Sequence, residues 1–107
     1  MPIGAFINVI PPGAFVAIHA ALLLVGVYLA YRSYGAGAST FGLAFVLYAL
    51  AEVFYLTYHL DLTVILFAHT VAEVLNAVAF VMLFTAGVSR AVGSRPEAAT
   101  RAGAPLT

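Results

Sequence analysis

Residues 41–88 read FGLAFVLYALAEVFYLTYHL, then Asp61, then LTVILFAHTVAEVLNAVAFVMLFTAGV. Each of these two apolar runs is long enough to cross a bilayer, which takes about 20 residues as a helix. The charged residues within them are Glu52 and Glu73, and Asp61 stands between them. So short a connection predicts two antiparallel neighbours, helices 41–60 and 62–88, in a tight hairpin. Asp61 is the expected N-cap of the later one, and Ser39 or Thr40 of the earlier one.

Upstream, residues 13–34 form a third apolar run. Pro11 and Pro12 suit its start, because proline lacks the N–H that the first helical turn leaves unpaired. The loop 33–40 is small and glycine-rich. Residues 1–12 are apolar but too short to span, so they are expected at the interface. From residue 89 the chain is polar and rich in Ala, Gly and Pro, and 89–107 reads as a disordered cytoplasmic tail. The expected fold is therefore an all-α integral membrane protein, multi-pass in the cell membrane. Its transmembrane domain is 13–88.

Composition agrees. The 107 residues are 64% hydrophobic and 7% charged, against roughly 45–50% and roughly 25% in soluble domains. Mean hydropathy is +1.10. Net charge is zero and cysteine is absent. That excludes a basic nucleic-acid surface, disulfides and thiolate metal sites. Met1-Pro2-Ile3-Gly4 has no basic n-region, so a cleaved signal peptide is not expected.

The arginines predict orientation. Arg32 ends the first run; Arg90, Arg95 and Arg101 follow the third. With three spans these lie on one side, so the N-terminus is expected outside and the C-terminus inside. Tyr28, Tyr31 and Tyr34 then fit an inner aromatic belt, and Tyr55 and Tyr58 an outer one.

Ionisable groups at membrane depth cost about 2.5–3.5 kcal/mol each on insertion scales, so their placement carries information. At ~1.5 Å per residue from the outer ends, His19 lies ~9 Å deep, His69 ~10 Å, Glu52 ~12 Å and Glu73 ~16 Å. Three helices thus bring ionisable groups to one layer in the outer half. His59 lies almost at the outer surface, as an interfacial group or a cap partner for the turn at Asp61. Tyr48, Glu52, Tyr55 and His59 share one stripe of the second helix. On the third, His69, Glu73 and Asn76 do the same, and Phe80 continues the line. Small residues at Gly26-x-x-x-Ala30, Ala17-x-x-x-Ala21 and Ala68-x-x-x-Ala72 permit close helix contact.

Several chemistries fit such a layer. His69-x-x-x-Glu73 places two metal-ligand types one turn apart, and Glu52 and His19 complete a candidate set for a transition metal. His19 and His69 are candidate axial ligands for haem b, with a dimer or partner helping to enclose the macrocycle. Glu52 and Glu73 can share a proton, since two carboxylates in low dielectric do not readily both ionise; a histidine can instead take that proton. The plainest alternative is a hydrogen-bond network that holds helices together.

Other chemistries are poorly served. Ser33, Ser39, Ser89 and Ser94 sit at or beyond inner helix ends, away from the histidines, so no hydrolase constellation forms. Gly35-Ala36-Gly37 has no preceding strand and is no phosphate loop. The repeated Ala-Glu-Val at 51–53 and 72–74 lacks matching flanks and is coincidental. No ionisable groups continue through the inner half, which argues against a conduction path in one chain.

Three readings follow. The first is a small non-enzymatic subunit of a larger assembly, respiratory or transport, with the Glu/His layer used for docking or proton handling. The second is a homo-oligomer that binds a metal ion, haem or a proton at that layer. The third, a membrane metalloenzyme, has the least support. The expected partners are the lipid bilayer and either further copies or larger membrane subunits.

Overall fold

The computed structural model describes residues 2–103, and side chains for 2–93. A short 3₁₀ segment, Ala5–Val9, precedes three helices: α1 (Pro12–Gly35), α2 (Ser39–His59) and α3 (Ile65–Gly103). All three contain stretches long and apolar enough to cross a membrane, which points to a multi-pass membrane protein in a lipid bilayer. Proline opens α1 as its first helical residue. The stretch 89–103, expected as unstructured tail, continues α3 in the backbone. Residues 104–107 of that tail lie outside the described residues.

Both connections are built the same way. At the end of α1, the Gly37 N–H donates to Tyr34 O at 3.0 Å and the Ala38 N–H to Ser33 O at 2.8 Å. At the end of α2, the Asp61 N–H donates to Tyr58 O at 3.0 Å and the Leu62 N–H to Thr57 O at 2.8 Å. This crossed pair satisfies the last carbonyls and demands a left-handed residue just past the helix. Gly37 (φ 76°) and Asp61 (φ 61°) are those residues. Asp61 therefore terminates α2 and does not cap α3. The apolar run 62–64 goes into the turn, and α3 starts three residues later than the hydropathy implies. The Thr57 hydroxyl pins this turn, lying 3.0 Å from the hydroxyl of Thr63 and donating to Phe54 O at 2.6 Å. Ahead of α2, the N-cap is Ala38 with no side-chain cap bond, in place of Ser39 or Thr40.

A left-handed residue other than glycine carries a steric penalty of roughly 1–2 kcal/mol, eased for Asp and Asn. Asp61→Gly should therefore stabilise the fold by up to about 1 kcal/mol, and Asp61→Val should destabilise it. The midpoint of denaturation in mixed micelles checks both signs. A loss on Asp61→Gly would mean that the carboxylate itself holds the turn.

The three helices form a slab with α2 in the middle. α1 and α3 each pack on α2, and among the described residues their backbones make no contact with each other. Burial shows the same order: 28% of the most apolar window of α2 is buried, against 11% for α1 and for α3. The interfaces are made of small residues. Among the described residues the buried apolar side chains are Ala30, Ala44, Ala49, Ala51, Ala68, Ala72 and Ala79, and none is larger than a methyl group. Large side chains such as Leu24, Leu66, Phe80 and Phe84 point outward. That inversion of a soluble core suits lipid, where association depends on close backbone approach and polar bonds. Gly26 and Ala30 serve α1, and Ala68 and Ala72 serve α3, as expected. The Ala17/Ala21 pair does not serve, since both residues are exposed. Near the Ser39 end of α2, the Arg90 guanidinium of α3 sits 5.1 Å above the Phe41 ring, a cation–π contact between the two helices.

Because α1 and α3 stay apart, one face of α2 is left between them as the floor of a groove. The stripe Phe45, Tyr48, Glu52, Tyr55 and His59 follows that floor at helical spacing.

Candidate functional site: a polar layer across three helices

The layer begins at α1. His19 Nδ1 lies 2.5 Å from Glu52 Oε2 on α2, a short charge-assisted contact. Glu52 is the buried polar residue among those described, with its side chain only 5% exposed, and His19 is 18% exposed. Ala51 and Ala49, both buried, bring the α2 backbone close to its neighbours at this level. Glu52 is thus held between helices and bonded to a base from α1. One proton between carboxylate and imidazole satisfies both.

It continues to α3. The Tyr55 hydroxyl donates to Glu73 Oε1 at 2.9 Å. His69 Nε2 is 3.7 Å from the same oxygen, one turn away along α3, which is beyond hydrogen-bond range. These side chains are open: His69 is 61% exposed and Glu73 60%. The two glutamates therefore take separate partners. Glu52 has His19, and Glu73 has Tyr55 with His69 nearby.

Rings fill the space between the two pairs. Tyr55 stacks on His19 at 4.9 Å between centroids and meets His69 edge-on at 5.8 Å. His59 stacks on His19 at 5.1 Å and lies almost parallel to Phe15 at 5.2 Å, with Tyr58 tilted against it at 4.9 Å. The run Phe15–His59–His19–Tyr55–His69 thus crosses all three helices. Such contacts are worth about 0.5–1.5 kcal/mol each beyond burial. His59, placed by its depth at the surface turn, is in fact a member of this stack. Tyr55, read as a belt residue, is the bridge between the two halves of the layer.

The expected metal set does not converge. Among the described residues no three His, Asp or Glu side chains are grouped to hold an ion. Haem between His19 and His69 fits no better, because the Tyr55 ring stands between the two imidazoles. His19 also has Nδ1 engaged by Glu52, which leaves Nε2 as its free nitrogen.

The groove holds two cavities, each of about 320 Å³. The outer one is bounded by Phe15, His19, Tyr55, His59, Ile65 and His69. The other, on the far side of the Glu52 level, is bounded by Val25, Leu29, Phe45, Tyr48, Asn76 and Phe80. Tyr48 and Asn76 belong to that second, mainly apolar cavity. Phe15 is the site residue that sequence reasoning missed. It lies four residues before His19 on the same face, a spacing that could have identified it. No protein-family model, curated protein or solved structure matches the chain.

Proposed function

We propose that the chain is a small non-enzymatic integral membrane subunit of a larger assembly, of the respiratory or transport kind, and that the Glu/His layer is its docking seam. One observation carries the reading: His69 and Glu73, 61% and 60% exposed, lie on a helix whose spanning part presents mainly alanines to α2 and mainly large apolar groups outward. An acid and a base left facing lipid are costly, and a protein surface laid over the groove removes that cost. The buried His19–Glu52 pair behind them supports a second part of the role, holding a proton that is reached from the outer side. The arginine bias supports an N-terminus outside and a C-terminus inside, in the cell membrane. The short connection 60–64 supports an antiparallel α2–α3 hairpin.

Glu73→Gln tests the seam. It preserves size and can still accept from Tyr55, so the helices should stay folded. The assembly extracted in mild detergent should weaken about ten-fold, corresponding to about 1.4 kcal/mol, as read from complex mass against dilution. If neither Glu73→Gln nor Glu73→Leu changes that mass, the seam is not at Glu73.

A further inference from the structure

We infer that the outer cavity is the head-group site of a lipid-soluble quinone, whose tail runs along the groove into the second cavity. This goes beyond the docking reading and needs no docked subunit. The outer cavity encloses about 320 Å³, and apart from Ile65 every residue that bounds it carries a ring. That volume is at the lower end of ligand sites, roughly 300–1,000 Å³, and suits one flat ring. A flat guest stacks on ring walls by offset faces and edges, as His19, Tyr55 and His69 do among themselves.

Charge narrows the head further. The chain has no lysine, and its arginines lie toward the other end of the helices. Arg32 is in the last turn of α1, Arg90 sits on Phe41 near the start of α2, and Arg95 and Arg101 come later in α3. A phosphate or carboxylate head at the outer cavity would meet no guanidinium and two glutamates close by. A cationic head fares no better, since Glu52 is bonded to His19 and Glu73 to Tyr55. Uncharged donors stand on opposite walls instead. With a proton held between Nδ1 and Glu52, the His19 Nε2 of α1 is a donor. His69 of α3 has Glu73 at 3.7 Å, outside hydrogen-bond range, and is a second one. A quinone carries a carbonyl oxygen at each end of a flat, uncharged ring, so one molecule can accept from α1 and from α3 at once. The ring then lies over Tyr55, which touches both imidazoles.

The tail has a place as well. The second cavity, about 320 Å³ and mainly apolar, lies further along the same floor, where Tyr48 stands two turns, roughly 10 Å, from Tyr55. Glu52, between them, is 5% exposed and bonded to His19, so it leaves the floor open. His59 ends α2 and Ile65 begins α3. The ring site is therefore near the membrane surface and the tail site toward the middle, the order in which an amphiphile lies in a bilayer.

Decylubiquinone and a short-chain menaquinone test the site, with the full chain in phosphatidylcholine nanodiscs and empty nanodiscs as background. At least one should bind saturably, and its tailless ring analogue about ten-fold more weakly. Ile65→Trp fills the ring cavity from a position that is 55% exposed; Leu24→Trp, on α1 and 69% exposed, is the control. Ile65→Trp and His69→Phe should each weaken binding about ten-fold, and Leu24→Trp should leave it unchanged. No saturable binding of either quinone would overturn the proposal. Equal binding by all three variants would also overturn it, as would displacement by an equal concentration of palmitate, the mark of an unselective acyl groove. The docking reading is judged by complex mass with Glu73→Gln, so a failure of quinone binding leaves that reading standing.

Discussion

His19→Leu is expected to destabilise the three-helix fold by about 3 kcal/mol, the lower end of what removal of one partner from a buried ion pair costs. Glu52 is 5% exposed and its bond to His19 is 2.5 Å long. Without the imidazole it stays buried beside Ala51, and it limits the loss only by taking up a proton. The stacking of His19 on Tyr55 and His59 disappears with the ring. The double variant His19→Leu/Glu52→Leu should be more stable than His19→Leu alone, because no polar group is then left unpaired. Glu52→Gln should fall between wild type and His19→Leu, since an amide can still bond to the ring. Equilibrium unfolding in mixed micelles, or steric trapping in bicelles, measures all four. Equal losses for the single leucine and the double variant would show that packing, and not the pair, holds α1 to α2.

Gly26→Leu should be the most damaging single change to the α1–α2 interface. Even a Cβ there would lie 2.8 Å from Tyr48 Cδ1, 3.2 Å from Ala49 Cβ and 3.3 Å from Ala49 Cα. The tyrosine ring can turn away, but the Ala49 backbone can yield only if the helices separate. Gly26→Ala should cost about 1–3 kcal/mol, as overpacking does, and leucine more. Gly42 is the instructive contrast. Its added Cβ would lie 2.7 Å from the Tyr34 ring, but that tyrosine is 49% exposed and free to swing. Gly42→Ala should therefore cost less than about 1 kcal/mol. Separation at Gly26 would also draw His19 away from Glu52, two turns along α1. The Gly26→Ala and His19→Leu losses should then add to less than their sum, as for coupled sites. Full additivity would show that contact and pair act independently.

Which parts of this were legible in the residues follows from what each residue type constrains. Length and hydropathy mark three spans, and Pro12 marks the start of the first because only the first turn tolerates a missing donor. Depth is legible too. Counting along the helices puts His19 and Glu52 at one level, and they meet there. Rotation about the helix axis is much less so. Depth alone makes His69 as good a partner for Glu52 as His19, and a pair of glutamates as plausible as two separate pairs. The choice depends on which small residues pack. Ala17/Ala21 and Gly26/Ala30 look alike in sequence, and only the second faces α2. Asp61 is ambiguous in sequence because Asp suits both an N-cap and a left-handed C-terminal position. The crossed hydrogen bonds that separate the two belong to the preceding helix. Residue types at common depth suggest a metal or haem site, whereas the contact of the Tyr55 ring with both His19 and His69 is a matter of azimuth.

The slab arrangement with α2 at its centre carries a mechanical consequence. Each outer helix is fastened to the middle one by its own line of alanine and glycine, and backbone contact between the outer two is missing among the described residues. Cohesion is therefore divided into two leaves hinged on one spine. Either leaf can open while the other stays shut, and the strain of opening is concentrated where the leaves are latched to the spine, at Glu52 for one and at Tyr55 for the other.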